Sequence, residues 1–321
     1  MKPSHFRFGV QFRNFPSGLR SSVLERMEEV ARECERLHFN SLWMIDHLLM
    51  RPPIAYESQP VPECWTALAF LAEKTRRISL GSLVSCVLFR DKSYLARVCY
   101  TLNEIAEGRL KIGLGSGWFD DEFRSYSIPF PDAKVRVSNL KATALYIKEF
   151  FKSMNNSSSY LKSAESKASP MLWLGGSGEK LTLRAVAECA DACSLFGDPS
   201  SIARKNAILD SYCAAIGRNP SEITRSKHSN VIIGKDELDV TRKLSKIVPQ
   251  ESKWKQFAES NIVGTPDQCL AQVKKYTSTG ISYLTLSFPD VFDMECLRLF
   301  DELIVQTNNP EIIAPNVSKA D

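Results

Sequence analysis

The architecture is best traced from Asn40-Ser-Leu-Trp-Met-Ile-Asp-His47. Its apolar run is short and uninterrupted, as in a strand buried on both faces, and it ends abruptly at an acidic residue and a histidine. At the carboxyl end of a parallel strand, Asp46 and His47 would face one ligand pocket. The alternative is structural: Asp46 caps the next element and His47 is a satisfied core histidine.

Strands and helices alternate on both sides of this stretch. Apolar patterns predict eight strands, at residues 6–12, 41–45, 78–87, 109–114, 171–174, 192–196, 230–233 and 283–287. Helical spacing follows them, at residues 22–37, 63–74, 93–106, 134–152, 179–190, 200–216, 266–279 and 293–306. Because no early Gly-x-Gly-x-x-Gly opens the first crossover, this order favours a (β/α)8 TIM barrel of the α/β class over a doubly wound sheet.

The predicted barrel accounts for nearly the whole chain. We expect a single domain over residues 1–321 with a core at about 6–306, an insertion at 235–265 and a C-terminal tail at 307–321. A proline-rich loop at 48–62 is long enough to be functional, and 155–167 has the composition of a disordered segment.

Composition excludes several classes of function. The chain has 41 Lys and Arg against 37 Asp and Glu without a basic block, so nucleic acid and membrane surfaces are poor candidate partners. Its nine cysteines are scattered without Cys-x-x-Cys spacing, which predicts free core thiols rather than disulfides or a zinc site. Without a signal peptide or an 18-residue apolar span, we expect a soluble cytoplasmic protein.

Two glycine-rich corners follow predicted strands. The first is Gly113-Leu-Gly-Ser116-Gly117, and the second consists of Gly175, Gly176, Ser177 and Gly178. Glycines let backbone N–H groups approach a ligand, and a helix start adds free donors for an anion. Because the second corner leads into a predicted helix, it is the better phosphate candidate; both corners could also be tight turns of a crowded barrel.

Other polar residues give weaker signals. Glu63 and Trp65 open a helix, where a capping or core role is about as frequent as ligand contact. The run Asp120-Asp-Glu122 could bind a metal, but adjacent acids more often form a solvated helix start, so no metal site is predicted. The remaining histidines are isolated and expected to be structural: His5, His38 and His228.

Taken in order, the motifs resemble the bacterial-luciferase-like oxidoreductases, (β/α)8 barrels that use FMN or the deazaflavin coenzyme F420. The resemblance extends over residues 6–306 and rests on segments 41–47, 65–81, 107–118, 126–131, 173–184, 190–191 and 264–266. The Gly-Gly-Ser-Gly-Glu-Lys180 corner, and Gly-Trp118 followed by Ile-Pro-Phe-Pro131, are most similar to the F420-dependent branch.

The resemblance implies a role for each matching residue. It makes His47 the residue that transfers a proton beside the hydride site and Asp46 a cofactor contact. It places a non-prolyl cis peptide at Leu83-Val84 under the ring, with Cys86 just past it. Ser116 and Gly117 would touch the cofactor, and 175–178 would bind its phosphate. It also implies a small-molecule substrate and a homodimer.

The chain departs from its relatives at three places. Trp118 stands where some F420-dependent dehydrogenases have a catalytic glutamate, and Arg51 stands where several members have an aromatic residue. No match exists around 194–200 for the residues that hold a sugar phosphate, which argues against such a substrate. Two alternatives stay open: an FMN-dependent monooxygenase supplied by a separate reductase, and a non-catalytic barrel that binds a flavin.

Overall fold

The computed structural model describes residues 6–15, 22–50, 61–156 and 169–308. The strands in these residues are β1 (Arg7–Phe12), β2 (Ser41–Met44), β3 (Ser79–Ser82), β4 (Ser85–Cys86), β5 (Leu110–Gly115), β6 (Met171–Gly175), β7 (Ala192–Leu195), β8 (Thr224–Ile233), β9 (Ile262–Gly264) and β10 (Tyr283–Ser287). The helices are α1 (Val23–Arg36), α2 (Cys64–Lys74), α3 (Lys92–Ile105), α4 (Asp120–Ser125), α5 (Ala133–Asn156), α6 (Thr182–Cys189), α7 (Pro199–Ala215), α8 (Glu237–Ile247), α9 (Trp254–Ser260), α10 (Pro266–Thr277) and α11 (Glu295–Asn308).

Parallel strand pairing closes the sheet into a barrel. The order is β1, β2, β3, β5, β6, β7 and β8, and β10 closes the ring by pairing with both β8 and β1. β4 continues β3 after a short interruption and pairs with β5, so the two together occupy one of eight positions in the wall. The predicted (β/α)8 TIM barrel is confirmed.

Large aromatic side chains opposite glycines fill the lower part of the barrel. A Cβ at Gly9 would lie 2.5 Å from the Trp43 ring, and one at Gly81 would lie 2.7 Å from it. Trp173 packs against Trp43 and Tyr283 with ring-centroid distances of 4.8 and 5.1 Å, in edge-to-face arrangements. The barrel is therefore solid at this end, and space for a ligand remains at the carboxyl ends of the strands.

The seventh barrel strand differs from its prediction. We expected residues 230–233, but β8 begins at Thr224, and its first half pairs with β7 and β10. The missed half is Thr-Arg-Ser-Lys-His-Ser, a polar sequence whose buried side chains find hydrogen-bond partners inside the fold. Residues 231–233 instead pair with β9, outside the barrel wall. With α8 and α9, β9 forms the predicted insertion.

Helix caps and buried thiols characterise the outer layer. Ser22, Asp91 and Asp198 accept backbone N–H groups at the starts of α1, α3 and α7, and Glu63 does the same for α2. All nine cysteines are buried and free, as predicted. α11 runs to Asn308, so the predicted tail begins within a helix; most of the segment predicted to be disordered and the remainder of the tail lie outside the described residues.

Candidate functional site

A cavity of about 450 Å³ opens at the carboxyl ends of the barrel strands. The structure brings nearly every predicted site residue to its wall, whereas Gly178 lies outside the lining. The predicted residues that border it are Asp46, His47, Leu83, Val84, Cys86, Ser116, Gly117, Gly175, Gly176 and Ser177. Their placement around one cavity fits the predicted site, and their individual roles stay predictions.

His47 is held by a buried carboxylate. Its Nδ1 lies 3.0 and 3.2 Å from the two carboxylate oxygens of Glu122, whose side chain is 2% exposed. The same carboxylate accepts the backbone N–H groups of Leu48 and Leu49. Because a carboxylate accepts hydrogen bonds, Nδ1 carries the proton in this pair. Nε2, which has no partner among the described residues, is the ring nitrogen left for a ligand.

Glu122 corrects the expectation of a solvated acidic run. Asp120 and Asp121 do lie at the surface, where both pair with Arg124. The third acid of the run is turned inward by the helical geometry of α4, together with the buried Phe123. Glu122 was expected to be exposed because it follows two surface acids. The apolar Phe123 beside it was the sequence signal for burial. Trp118, at the family's glutamate position, borders the cavity with its ring edge-on to His47.

Asp46 is engaged by protein side chains. Its carboxylate accepts two hydrogen bonds from Arg90, at 2.6 and 2.9 Å, and one from the Ser85 hydroxyl at 2.6 Å. Burial alone would lower the pKa of Arg90, but Asp46 and Glu63 together raise it. Asp46 therefore fixes the cavity wall, and it is Glu122 that orients the His47 ring. Arg90 was missed because it lies 44 residues from its partner.

The cavity floor contains the interruption between β3 and β4. The Leu83–Val84 peptide bond is cis, at the position that the resemblance implied. The Val84 side chain packs where Gly115 and Gly175 lack Cβ atoms: a Cβ at either glycine would lie 2.5 or 2.6 Å from a Val84 methyl carbon. These two glycines therefore make room for a protein side chain, a packing role that their sequence context did not predict.

The second glycine corner retains features of an anion site. Ser177 Oγ is buried and has no partner within the described residues, and the same holds for Ser194 Oγ on the neighbouring strand. Gly176 has a φ of +136°, a conformation that strains other residues. Helix α6 begins at Thr182, three residues later than predicted, because 179–181 form a turn. Two unpartnered hydroxyls fit a polar group of a bound cofactor, such as a phosphate.

Cys86 contributes shape to the cavity. Its thiol is buried beside the Leu83–Val84 segment, and burial raises its pKa to about 12. At neutral pH this thiol is protonated and a poor nucleophile. Its surroundings therefore do not activate it for a covalent role.

Sequence reasoning missed several cavity residues. His228 was expected to be an isolated structural histidine, but it borders the cavity and its Nε2 lies 2.9 Å from the Ser287 hydroxyl. It was missed because the polar half of β8 was not recognised as a strand. His38 lies on the surface against Asp301, and His5 is outside the described residues. The other missed lining residues include Gln11, Arg13, Phe89, Ser194 and Phe196.

The described ranges contain neither a metal-binding cluster nor a membrane-spanning helix. No group of three or more His, Cys, Asp or Glu side chains there is arranged to hold a metal ion. Every helix in the same ranges is too short or too polar to cross a membrane. Residues 51–60 of the proline-rich loop, including Arg51, lie outside these ranges.

A family model and known relatives match this sequence. The model for luciferase-like monooxygenases matches residues 5–283. The chain belongs to this family. An F420-dependent glucose-6-phosphate dehydrogenase from Amycolatopsis mediterranei is 28% identical over 128 residues, which are 40% of this chain and 38% of that protein. The predicted superfamily of enzymes is thereby confirmed, while the chain matches well under half the length of this relative.

Solved structures show the same fold at low identity. An F420-dependent tetrahydromethanopterin reductase from Methanopyrus kandleri superposes with a TM-score of 0.71 at 16% identity, covering 95% of this chain and 100% of that one. A type II Baeyer-Villiger monooxygenase from Pseudomonas putida, in complex with FMN, has a TM-score of 0.73 at 14% identity, covering 97% and 100%. At these identities the likeness concerns the fold alone.

Proposed function

We propose that the cavity binds coenzyme F420 and that the protein transfers a hydride between this cofactor and a small organic substrate. The observation that carries the proposal is the His47–Glu122 pair, which presents a ring nitrogen to a cavity also lined by unpartnered hydroxyls. The F420-dependent dehydrogenase among the relatives supports the choice of cofactor. A homodimer in the cytoplasm remains part of the proposal.

The cavity residues fall into two groups, one that would contact the ring system of the cofactor and one that would bind its phosphate. Leu83, Val84 and Cys86 would support the ring system from the floor, and Asp46, held by Arg90, would fix the wall beside it. Ser116 and Gly117 would contact the cofactor at the first corner, while the second corner would bind the phosphate through Gly175, Gly176, Ser177 and Gly178. When bound, the deazaflavin supplies an acceptor or donor of hydride, which the side chains of this chain cannot provide.

His47 would handle the proton that accompanies the hydride. Glu122 holds Nδ1–H, so Nε2 can accept a proton from a substrate O–H or N–H during oxidation and return it during reduction. The carboxylate is oriented by its bonds to Leu48 and Leu49, and it stabilises the imidazolium that forms. Positioning against the cavity floor would supply much of the remaining acceleration.

A flavin monooxygenase is the second candidate. The P. putida enzyme of the same fold contains FMN, and the second corner would suit the phosphate of either cofactor. The two functions differ in the fate of electrons, because a monooxygenase consumes oxygen and needs a reductase.

A titration of the purified apoprotein with F420 and with FMN, followed by fluorescence, tests the proposal. We expect selective F420 binding and, in a substrate screen, a change of deazaflavin absorbance. The His47→Ala variant should bind F420 with unchanged affinity and lose turnover by about 10²-fold or more. Selective FMN binding with oxygen uptake would establish the alternative, and full turnover by His47→Ala would remove the proton-transfer role.

A further inference from the structure

A chain of buried hydrogen bonds links His228 to the cavity floor. The Gln11 side-chain amide donates to the backbone carbonyl of Leu83. The Ser287 hydroxyl lies 2.8 Å from Gln11 Oε1, and His228 Nε2 lies 2.9 Å from that hydroxyl. Gln11, Ser287 and His228 are all less than one-tenth exposed. Each of these hydrogen bonds lies between buried groups, so the position of each proton can be deduced from the donors and acceptors.

The direction of each bond follows from the carbonyl at its end. A backbone carbonyl can only accept, so the NH2 group of Gln11 faces Leu83 and its Oε1 faces Ser287. Ser287 must then donate its single proton to Oε1. Its oxygen is left to accept from His228, which places a proton on Nε2 of that ring.

The surroundings of His228 favour the neutral ring. Burial lowers its pKa well below the ordinary value, and the nearby charges of Arg13 and Lys227 lower it further. A neutral ring with its proton on Nε2 has a lone pair on Nδ1. Nδ1 has no hydrogen-bond partner among the described residues, in a side chain that borders the cavity beside the Phe196 ring.

We propose that Nδ1 of His228 accepts a hydrogen bond from a hydroxyl group of the substrate. The cavity would then select hydroxyl compounds over analogues that accept hydrogen bonds but cannot donate them. This inference rests on the proposed function in naming the substrate class of the same site. His47 and His228 would act on different groups: His47 exchanges a proton with the reacting O–H or N–H, and His228 accepts a hydrogen bond from another hydroxyl without taking its proton. A site that hydrogen-bonds a hydroxyl discriminates against compounds without one, because its acceptor is left unpaired.

The tautomer can be measured directly. The protein has four histidines, and long-range ¹H–¹⁵N correlation spectra of ¹⁵N-histidine-labelled protein distinguish the two neutral forms and the imidazolium. His228→Gln assigns the signal, and the exposed His38 is an internal control. We expect His228 to be neutral with the proton on Nε2 throughout pH 6–8. A proton on Nδ1, or an imidazolium at pH 7, would overturn the inference.

Paired probes test the binding role. Cyclohexanol and 1-phenylethanol are compared with their methyl ethers, in cofactor-free protein and in protein loaded with F420. The alcohols should shift the His228 Nδ1 resonance and the ethers should not; His228→Leu should weaken alcohol binding about tenfold and leave ether binding unchanged. Equal binding of ethers and alcohols, or no Nδ1 shift with any alcohol, contradicts the inference.

A second variant guards against misfolding of His228→Leu. Ser287→Ala removes the acceptor of the Nε2 proton and should give a mixture of tautomers with weaker alcohol binding. Ser226→Ala, which loses a buried hydroxyl bonded to Cys193 O, should leave the His228 spectrum unchanged. If Ser287→Ala and Ser226→Ala gave the same His228 spectrum, the hydrogen-bond chain would not set the tautomer of His228. If F420 fails to bind while the alcohol shifts persist, the proposed function fails and this inference stands.

Discussion

Nδ1 of His47 lies 3.0 Å from a carboxylate oxygen of Glu122, although 75 residues separate the two in the chain. The contact joins the end of β2 to the short helix α4 after β5. It fixes both the tautomer and the orientation of the imidazole, as a buried carboxylate does for a catalytic histidine in hydrolases. The proton-transfer role proposed for His47 should therefore depend on the Glu122 carboxylate, which acts through the imidazole.

Replacing Glu122 by glutamine should change the tautomer. The Gln oxygen can accept from Leu48 and Leu49, which turns the NH2 group toward His47 and leaves Nδ1 as an acceptor. Nε2 then carries the proton and can no longer accept one. We expect kcat for substrate oxidation to fall by about 10²–10⁴-fold, with F420 affinity changed little, in steady-state and titration experiments.

The neighbouring acid provides the matched control for that variant. Asp121→Asn alters a surface carboxylate one residue away that pairs with Arg124, and kcat should stay within about twofold of the parent protein. If Glu122→Gln and Asp121→Asn had the same kcat, the buried carboxylate would have no role in positioning His47.

Neutralising Asp46 should destabilise the cavity wall. Asp46→Asn leaves the Arg90 guanidinium, 14% exposed, with Glu63 as its remaining carboxylate partner. We expect the free energy of unfolding to fall by about 3 kcal/mol, measured by urea denaturation, and F420 binding to weaken. In the control Asp210→Asn, the carboxylate paired with Arg225 is 47% exposed, so the loss should stay below about 1 kcal/mol. A similar small loss for Asp46→Asn would show that the pair is dispensable.

The packing of Val84 against Gly175 can be tested with a double-mutant cycle. Gly175→Ala places a Cβ 2.6 Å from a Val84 methyl carbon and should destabilise the fold by about 1–3 kcal/mol. Val84→Ala removes that methyl group, so Gly175→Ala should cost less in this background. Gly217→Ala, which has no atom within 4 Å of its new Cβ, should be additive with Val84→Ala. Additivity for Gly175 as well would contradict the contact.

Lys227 should give the protein an unusual dependence of stability on pH. Its side chain is fully buried, with Nζ bonded to the Ser260 carbonyl and 4.5 Å from the centre of the Tyr276 ring, and burial lowers its pKa to about 7. Between pH 7 and about 10 the unfolded chain binds a proton that the folded chain does not. The destabilising contribution of Lys227 therefore decreases as pH rises, by about 1.4 kcal/mol per pH unit, so the fold becomes more stable over this range.

Lys227→Met isolates this contribution. The free energy of unfolding of the parent minus that of the variant should rise by about 4 kcal/mol from pH 7 to pH 10, in urea denaturation at each pH. Lys152→Met replaces a side chain that is 71% exposed, and its difference curve should be flat. A flat curve for Lys227→Met would mean that the buried amine keeps its proton.

The sequence predicted the fold better where strands were apolar. The apolar composition of runs such as 41–45 and 283–287 indicates that they are buried. Seven of the eight predicted strands were placed within a few residues. β8 was displaced because its barrel half is polar: Ser226 and His228 are buried by specific hydrogen bonds, which periodicity cannot reveal.

The candidate site was predicted in part for a similar reason. Residues inside ordered motifs, such as His47 and the Leu83–Val84 peptide, were placed at the cavity by resemblance. Glu122 and Arg90 were missed because their roles depend on contacts with His47 and Asp46, which are distant in the chain. The packing role of Gly175 was missed because a glycine that accommodates a valine side chain has the same sequence signature as one that admits a ligand.

The aromatic filling of the lower barrel has a kinetic consequence. Trp43, Trp173 and Tyr283 close one end of the interior, so the cavity is a well with its mouth at the carboxyl ends of the strands. Whichever molecule occupies the deeper part of that well must arrive first and depart last. Substrate and cofactor should therefore follow an ordered sequence of addition and release, with the deeper molecule setting the order for the other.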